Sequence, residues 1–232
     1  MRAMILAAGR GERMKPLTDT CPKPLLCVAE KPLIVYHIEK LAQIGIKDIV
    51  VNHAWLGQQL VDFLGDGSKW NVDINFSAET NGALETAGGI KKALDILAPN
   101  NSEDPFLVIN GDIYFEYDLS LLPKMQVHQL AYLWLTINPE HNPSGDFGID
   151  NGLLVNKSEQ MSTFSGIALY RGSFFKHVLG DNVEKLAPLL RAAANKQQIG
   201  ASILPGLWVD VGTPQRLEQL EAHILSLQES GK

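Results

Sequence analysis

Glycines and charged residues share one short stretch, Ala7-Ala8-Gly9-Arg10-Gly11-Glu12-Arg13-Met14-Lys15-Pro16, followed closely by Cys21-Pro22-Lys23-Pro24-Leu25. Gly9 and Gly11 let backbone N–H groups approach a polyphosphate without a Cβ in the way, and successive amides of such a turn can cradle an anion. Arg13 and Lys23 could add full charges. Pro22 and Pro24 restrict the backbone around Lys23, which suits a charge that must stay in place. Two familiar phosphate loops are excluded by spacing: GxGxxG needs glycine where Met14 stands, and no GxxxxGK[ST] occurs. A cation-bearing surface turn is the plain alternative.

Two distant acids follow apolar runs. Phe106 to Ile109 leads into Asn110-Gly111-Asp112, and Trp208-Val209 leads into Asp210-Val211-Gly212-Thr213-Pro214. Each acid is expected at the carboxyl end of a strand, where open α/β sheets bind ligands. Magnesium takes oxygen ligands and keeps several waters, so one or two carboxylates plus substrate phosphates make a sufficient site. Read alone, Asp112 is equally an acid in an Asn-Gly turn, and Asp210 an acid in a turn before a capped helix. His37, His53, His128, His141, His177 and His223 offer no metal-spaced pair and no nucleophile elbow, which weakens hydrolase readings. A structural role is expected for His53. An aspartate pair of the glycosidase kind would leave the glycine and arginine loop unexplained. Glu79 to Gly89 joins a glycine-bearing loop to a helix start, able to read a base through its backbone or to serve close packing at Gly88 and Gly89. Asn110, Asp146 and Ser165 offer hydrogen-bonding groups, or are polar loop residues without a role.

The elements that must position these groups can be read from apolar patterning. Ala3 to Ala7, Ile49 to Val51, Phe106 to Ile109 and Tyr132 to Ile137 read as buried strands. Helical patterns run over Ile34 to Ile44 before Gly45, Trp55 to Leu64 before Gly65, and Glu85 to Leu97 before Pro99. Phe164 to Tyr170 reads as a strand, Val183 to Ala194 as a helix containing Pro188, and a last helix begins at Pro214 with Thr213 as its cap. Alternating β and α implies a Rossmann-like α/β fold, with a mixed, mostly parallel sheet flanked by helices.

The chain has 232 residues, 45% of them hydrophobic and 20% charged, which suits one domain spanning 1–232. A net charge of -6 with scattered Lys and Arg provides no basic stripe for nucleic acid. The apolar run Met4 to Ala8 is too short for a signal-peptide core or a membrane span. Cys21 and Cys27 form neither a CxxC pair nor half of a zinc site, so a reducing cytoplasm is expected.

The stretch LAAGRGERMKPLTDTCPKPL resembles the signature of the sugar-phosphate nucleotidyltransferases. The resemblance extends through NHAWLGQQ, LETAGGI, NGDIY, GDFG, FSGIALY, KLAPLLR and WVDVGTP, from about Met1 to Leu220. It implies transfer of a nucleoside monophosphate, such as UMP from UTP, to a sugar 1-phosphate with Mg2+ as cofactor and pyrophosphate released. Gly11, Glu12 and Arg13 would contact the triphosphate, with Arg13 stabilising the departing pyrophosphate, and Lys23 would hold phosphates of both substrates. Ala8, Gly9, Gly82, Glu85 and Gly88 would recognise the base, Asn110, Asp146 and Ser165 would bond the sugar, and Asp112 and Asp210 would hold the metal. The Glu-Lys-Pro segment that touches the sugar in many larger relatives is missing, and the compressed stretch Asn151 to Met161 is expected to leave room for a bulky substituent such as a lactyl group. Other nucleotide and sugar pairs, or nucleotide sensing without turnover, are the rival readings; a dehydrogenase ranks last.

Overall fold

The structure is a computed structural model describing residues 1–80, 82–180 and 182–230. β1 (Ala3–Leu6) runs into the glycine turn, α1 (Leu17–Thr20), the small hairpin of β2 (Cys27–Val28) and β3 (Lys31–Pro32), and α2 (Leu33–Gln43). Two βα units follow: β4 (Asp48–His53) with α3 (Gly57–Leu64), and β5 (Asp73–Ala78) with α4 (Glu85–Lys92) and α5 (Leu94–Leu97). Next come β6 (Pro105–Asn110), β7 (Ile113–Phe115), β8 (Ala131–Thr136), the hairpin β9 (Phe147–Asp150) and β10 (Leu153–Val155), and the long β11 (Met161–Arg171). The chain continues through α6 (Leu186–Ala194), β12 (Ile199–Ile203), β13 (Trp208–Asp210) and α7 (Pro214–Ser230).

Among the described residues, nine strands form one sheet in the order β5-β4-β1-β6-β11-β8-β12-β10-β9. β5, β4, β1 and β6 are mutually parallel; β11 enters antiparallel between β6 and β8, and β8 and β12 are parallel again. Only β11 and β10 run against the rest. The expected mixed, mostly parallel sheet is therefore present. β1 is apolar along its whole length because both faces are covered: Ala3 and Ile5 face one core with Ile38 of α2 and Leu60 of α3, while Met4 faces the other with Ile90 of α4 and Leu190 of α6.

Three helical stretches differ from the patterning. The helix expected from Trp55 starts at Gly57, because Leu56 is left-handed at φ 51°. The helix expected over 85–97 divides at Ala93 into α4 and α5. The helix expected from Val183 starts at Leu186, because the Glu184 carbonyl instead accepts from Ala87 N and Gly88 N at the start of α4. Pro188 then falls in the first turn of α6, where the missing N–H has no intrahelical acceptor to lose.

Candidate active site

The phosphate side of the cleft begins where β1 ends. Gly11 is left-handed at φ +69°, and a Cβ there would stand 3.0 Å from Thr18 Cγ2 and 3.3 Å from Lys23 Cβ, so glycine permits both the turn and the passage of the lysine stem. Thr18 Oγ1 donates to the Gly11 carbonyl at 2.8 Å and Met14, fully buried, pins the turn from below. The outer part of the loop is tied to α3. Arg10 bonds Asp19 at 2.8 Å and lies 4.0 Å over the Trp55 ring, while Trp55 Nε1 and Gln59 Nε2 donate to the Thr18 and Thr20 carbonyls. Glu12 is exposed and ion-paired to Lys15 at 2.6 Å, whose hydrogen bond holds its carboxyl below the usual range. Arg13, also exposed, reaches toward Gly212, where its Nη2 would lie 3.1 Å from an added Cβ. Lys23 is different. Its side chain is 8% exposed and its Nζ donates to Asp112 Oδ2 at 2.6 Å.

Asp112 owes its place to a close approach. Gly111 N donates to the Leu6 carbonyl at 2.8 Å, and a Cβ on Gly111 would stand 2.7 Å from that same oxygen. The chain then enters β7, where Ile113 pairs with Asp210 of β13 and Val211 N donates to the Asp112 carbonyl at 2.9 Å. The two acids, 98 positions apart in sequence (210 − 112), thus stand on neighbouring, hydrogen-bonded backbones. Asp210 Oδ2 accepts from Arg216 Nη1 at 2.8 Å and lies 3.1 Å from His141 Nε2. No cluster of three or more His, Cys, Asp or Glu suited to a metal occurs among the described residues. Two carboxylates carried on paired backbones are nevertheless a donor set that fits a hard cation retaining waters and phosphate oxygens.

Two adjoining cavities share Gly9, Lys23 and Asp112. The smaller, about 220 Å³, is completed by Gly11, Glu12, Arg13 and Gly212. The larger, about 320 Å³, extends past Ala8, Asn52, Glu79, Glu85 and Asn110. Its floor is a buried relay that the sequence reading missed: Asn52 Oδ1 accepts from Ala7 N at 2.8 Å, Asn52 Nδ2 donates to Glu79 Oε1 at 2.7 Å, and Glu79 Oε2 accepts from Leu84 N at 2.7 Å. Gly89 makes room for that carboxylate, since a Cβ there would meet Glu79 Oε1 at 2.6 Å. Glu85 holds a left-handed φ of 59° at the cavity wall, backbone strain of a kind that gathers at binding sites.

The remaining candidates divide. Asn110 lines the larger cavity and leans over Gly166, where β11 bulges at φ +79° and a Cβ would stand 2.5 Å from Asn110 Nδ2. Gly82, at φ +102° with open space around it, sits beside the wall residue Ala83; Asn81 lies outside the described residues. Three candidates are engaged within the fold. Gly88 is buried against the backbone of Asn182, where an added Cβ would collide with the carbonyl, so it serves helix packing. Ser165 is fully buried, with its hydroxyl donating to the Trp134 carbonyl at 2.7 Å. Asp146 uses its two oxygens internally, accepting from Phe164 N at 2.8 Å and Asn142 Nδ2 at 3.2 Å. His53 packs on Gly57 and meets the Phe76 ring edge-on, with burial lowering its pKa against the pull of Glu79.

A glycine turn, a buried lysine and Asp112 now line one cleft, with Asp210 on the strand paired beside Asp112, and the family model for nucleotidyl transferases matches residues 2–151. The chain belongs to the nucleotidyl transferase family. It is 49% identical to the N-acetylmuramate alpha-1-phosphate uridylyltransferase of Neisseria meningitidis, over 96% of this chain and 97% of that one. It is 32% identical to a mannose-1-phosphate guanyltransferase of Schizosaccharomyces pombe, over 93% of this chain but 62% of that longer protein. A crystal structure from Bacillus anthracis, assigned as a glucose-1-phosphate thymidylyltransferase and bound to sucrose, shares the fold at a TM-score of 0.82 and 23% identity, over 96% of this chain and 94% of that one. No helix among the described residues of this nucleotidyl transferase is long and apolar enough to cross a membrane. The sequence reading gave no individual role to Asn52, Glu79, Gly166, Gly212, His141 or Arg216; Asn52, Gly166 and Gly212 stand in NHAWLGQQ, FSGIALY and WVDVGTP and Glu79 opens the segment 79–89, whereas His141 and Arg216 stand in none of these.

Proposed function

We propose that the protein transfers UMP from UTP to N-acetylmuramate 1-phosphate, giving UDP-N-acetylmuramate and pyrophosphate. The observation that carries this reading is the Lys23–Asp112 pair at the seam of the two cavities, with Asp210 on the adjacent strand. The extent of identity with the Neisseria enzyme supports the choice of base and sugar.

In the reaction, a phosphate oxygen of the sugar 1-phosphate attacks the α-phosphorus of UTP, and the bond from that phosphorus to the β-bridging oxygen breaks, its electron pair leaving with pyrophosphate. A phosphate monoester is already largely ionised near neutral pH, so the protein supplies alignment and charge stabilisation rather than a nucleophile. Lys23, fixed by its prolines and burial, holds phosphate oxygens at the seam. Arg13, on the exposed side of the glycine turn, stabilises the charge gathering on pyrophosphate. Ala8, Gly9, Glu79 and Glu85 contact the nucleoside and Asn110 the sugar. Asp112 and Asp210 would hold magnesium, which when bound neutralises charge on the reacting phosphates.

We read residues 1–232 as one domain. Free Cys21 and Cys27 support a reducing, cytoplasmic setting, in which the reaction serves peptidoglycan recycling. Pyrophosphate release tested across four NTPs and a panel of sugar 1-phosphates, mannose 1-phosphate included, checks the assignment. UTP with N-acetylmuramate 1-phosphate is expected to give the highest kcat/KM; faster turnover of GTP with mannose 1-phosphate would replace this reading with a guanylyltransferase.

A further inference from the structure

We infer that Arg216 and His141 together read a carboxylate on the acceptor sugar, making them the residues that select an acidic sugar 1-phosphate; this rests on the transfer reading above. The placement follows from the order of strand ends. Along β5-β4-β1-β6-β11-β8, all but β11 point the same way. Glu79, Asn52 and Gly9, which end or follow β5, β4 and β1, line the nucleotide half; Asn110 and Asp112 follow at the β6 position. The segment after β8 therefore overhangs the opposite, acceptor half.

That segment is held in shape from within. Asn138 Nδ2 donates to the Pro143 and Met161 carbonyls at 3.2 and 3.0 Å, Thr163 Oγ1 donates to Asn138 Oδ1 at 2.9 Å, and Asp146 takes the Asn142 amide. The result is a fixed arch that carries His141 to Asp210. Arg216 arrives from the first turn of α7, its Nη1 lying 2.8 Å from Asp210 Oδ2 and 3.1 Å from the His141 ring nitrogens. Its Nη2 leans over Gly212, where a Cβ would collide with it. Gly212 is thus the space shared by two guanidinium groups, Arg13 on the phosphate side and Arg216 toward His141.

Charge then decides what the pair is for. Lys23 is matched by Asp112, whereas Asp210 meets both Arg216 and the His141 imidazole, with Arg13 on the other side of Gly212. A triphosphate occupies Arg13, which leaves donors of Arg216 and His141 beside the sugar. A neutral hexose 1-phosphate has no second anion to give them. N-acetylmuramate differs from N-acetylglucosamine by an ether-linked lactate, whose carboxylate matches the fork of an arginine. The compressed stretch 151–161 is fastened by Asn156 to the Arg191 carbonyl and Asn195 at α6.

The test is a ratio: kcat/KM with UTP for N-acetylmuramate 1-phosphate divided by that for N-acetylglucosamine 1-phosphate, in the parent protein, Arg216→Lys, Arg216→Gln and His141→Ala. Any loss caused by shifting Asp210 is common to both sugars and cancels. The parent ratio is expected to be at least ~30, from one charge-assisted hydrogen bond or more. Arg216→Gln should lower it at least ~10-fold and His141→Ala roughly 3-fold, with Arg216→Lys retaining part of it. A parent ratio near one, or a ratio unmoved in both Arg216→Gln and His141→Ala, overturns the inference and leaves the transfer reading standing. A parent protein that turns over no sugar 1-phosphate overturns both.

Discussion

The nucleotide half and the acceptor half of the cleft are built by different means. In the first, β5, β4 and β1 pair in parallel register and their ends are locked by the buried Ala7, Asn52, Glu79 and Leu84 relay, drawn from consecutive βα units. In the second, Asn110, His141, Asp210 and Arg216 come from distant parts of the chain and meet around a bulged β11 and an arched loop. The difference teaches where specificity can change cheaply. A buried relay resists alteration because each orphaned partner costs desolvation free energy, whereas partly exposed side chains on the acceptor side can be exchanged without disturbing the core.

Breaking the seam between the halves should have the largest effect. Asp112→Asn and Arg13→Ala are each expected to lower the rate of pyrophosphate release at least ~100-fold while the unfolding midpoint stays close to that of the parent. Near-normal turnover in both variants would detach the acid and the arginine from the chemistry.

The rigidity of the nucleotide half is sharpened by Asn52→Ala, which strands Ala7 N and one oxygen of the buried Glu79. We expect a stability loss of about 2 kcal/mol in urea unfolding. Gln58→Ala, on an exposed α3 hydrogen bond, is the control, and a loss no greater than its own would show that the relay does not brace this half.

His37 lies beneath the seam, fully buried and stacked on Phe115 at 5.7 Å, with burial pushing its pKa down from 6.5 to about 4. Its folded pKa is below its unfolded one, so the unfolded state binds the extra proton between these values. Stability is fully present above about pH 6.5 and is lost as pH falls toward 4, by roughly 2 kcal/mol near pH 5. His37→Phe should flatten that slope in denaturant unfolding at pH 5 and 7; an unchanged slope would place the titration elsewhere.

The smallest expected effect separates the halves most finely. Gly166→Ala must hold φ +79° and press on Asn110 Nδ2, so stability should fall by about 1 kcal/mol. KM for the sugar 1-phosphate should rise roughly 10-fold through the displaced amide, about 1.4 kcal/mol, with KM for UTP nearly unchanged. Equal rises in both would remove Asn110 from the acceptor half.

Strands buried on both faces were legible in the sequence because β1, β4, β6 and β8 are continuous apolar runs. β5 alternates, Asp73-Ile74-Asn75-Phe76-Ser77-Ala78, and β7, β9, β10 and β12 are short or polar-interrupted, so apolar runs alone do not reveal them. In the site, the surroundings of Lys23, Asp112 and Asp210 could be read from glycine turns and expected strand ends. The burial of Ser165 could not be read, because the bulge at Gly166 breaks the alternation by which a strand side chain is assigned to a face. Arg216 and His141 carry no local spacing signal. Their meeting depends on the connection after β8 and on α7 returning to β7 through β13.

The central claim is that both halves only align and stabilise, so that the two substrates react directly on each other. Transfer from a single diastereomer of UTP carrying sulfur at its α-phosphorus tests it, with the configuration of the product read by phosphorus NMR. Direct attack predicts inversion at that phosphorus. Retention would mean that a group of the protein is first covalently nucleotidylated, which would contradict the account.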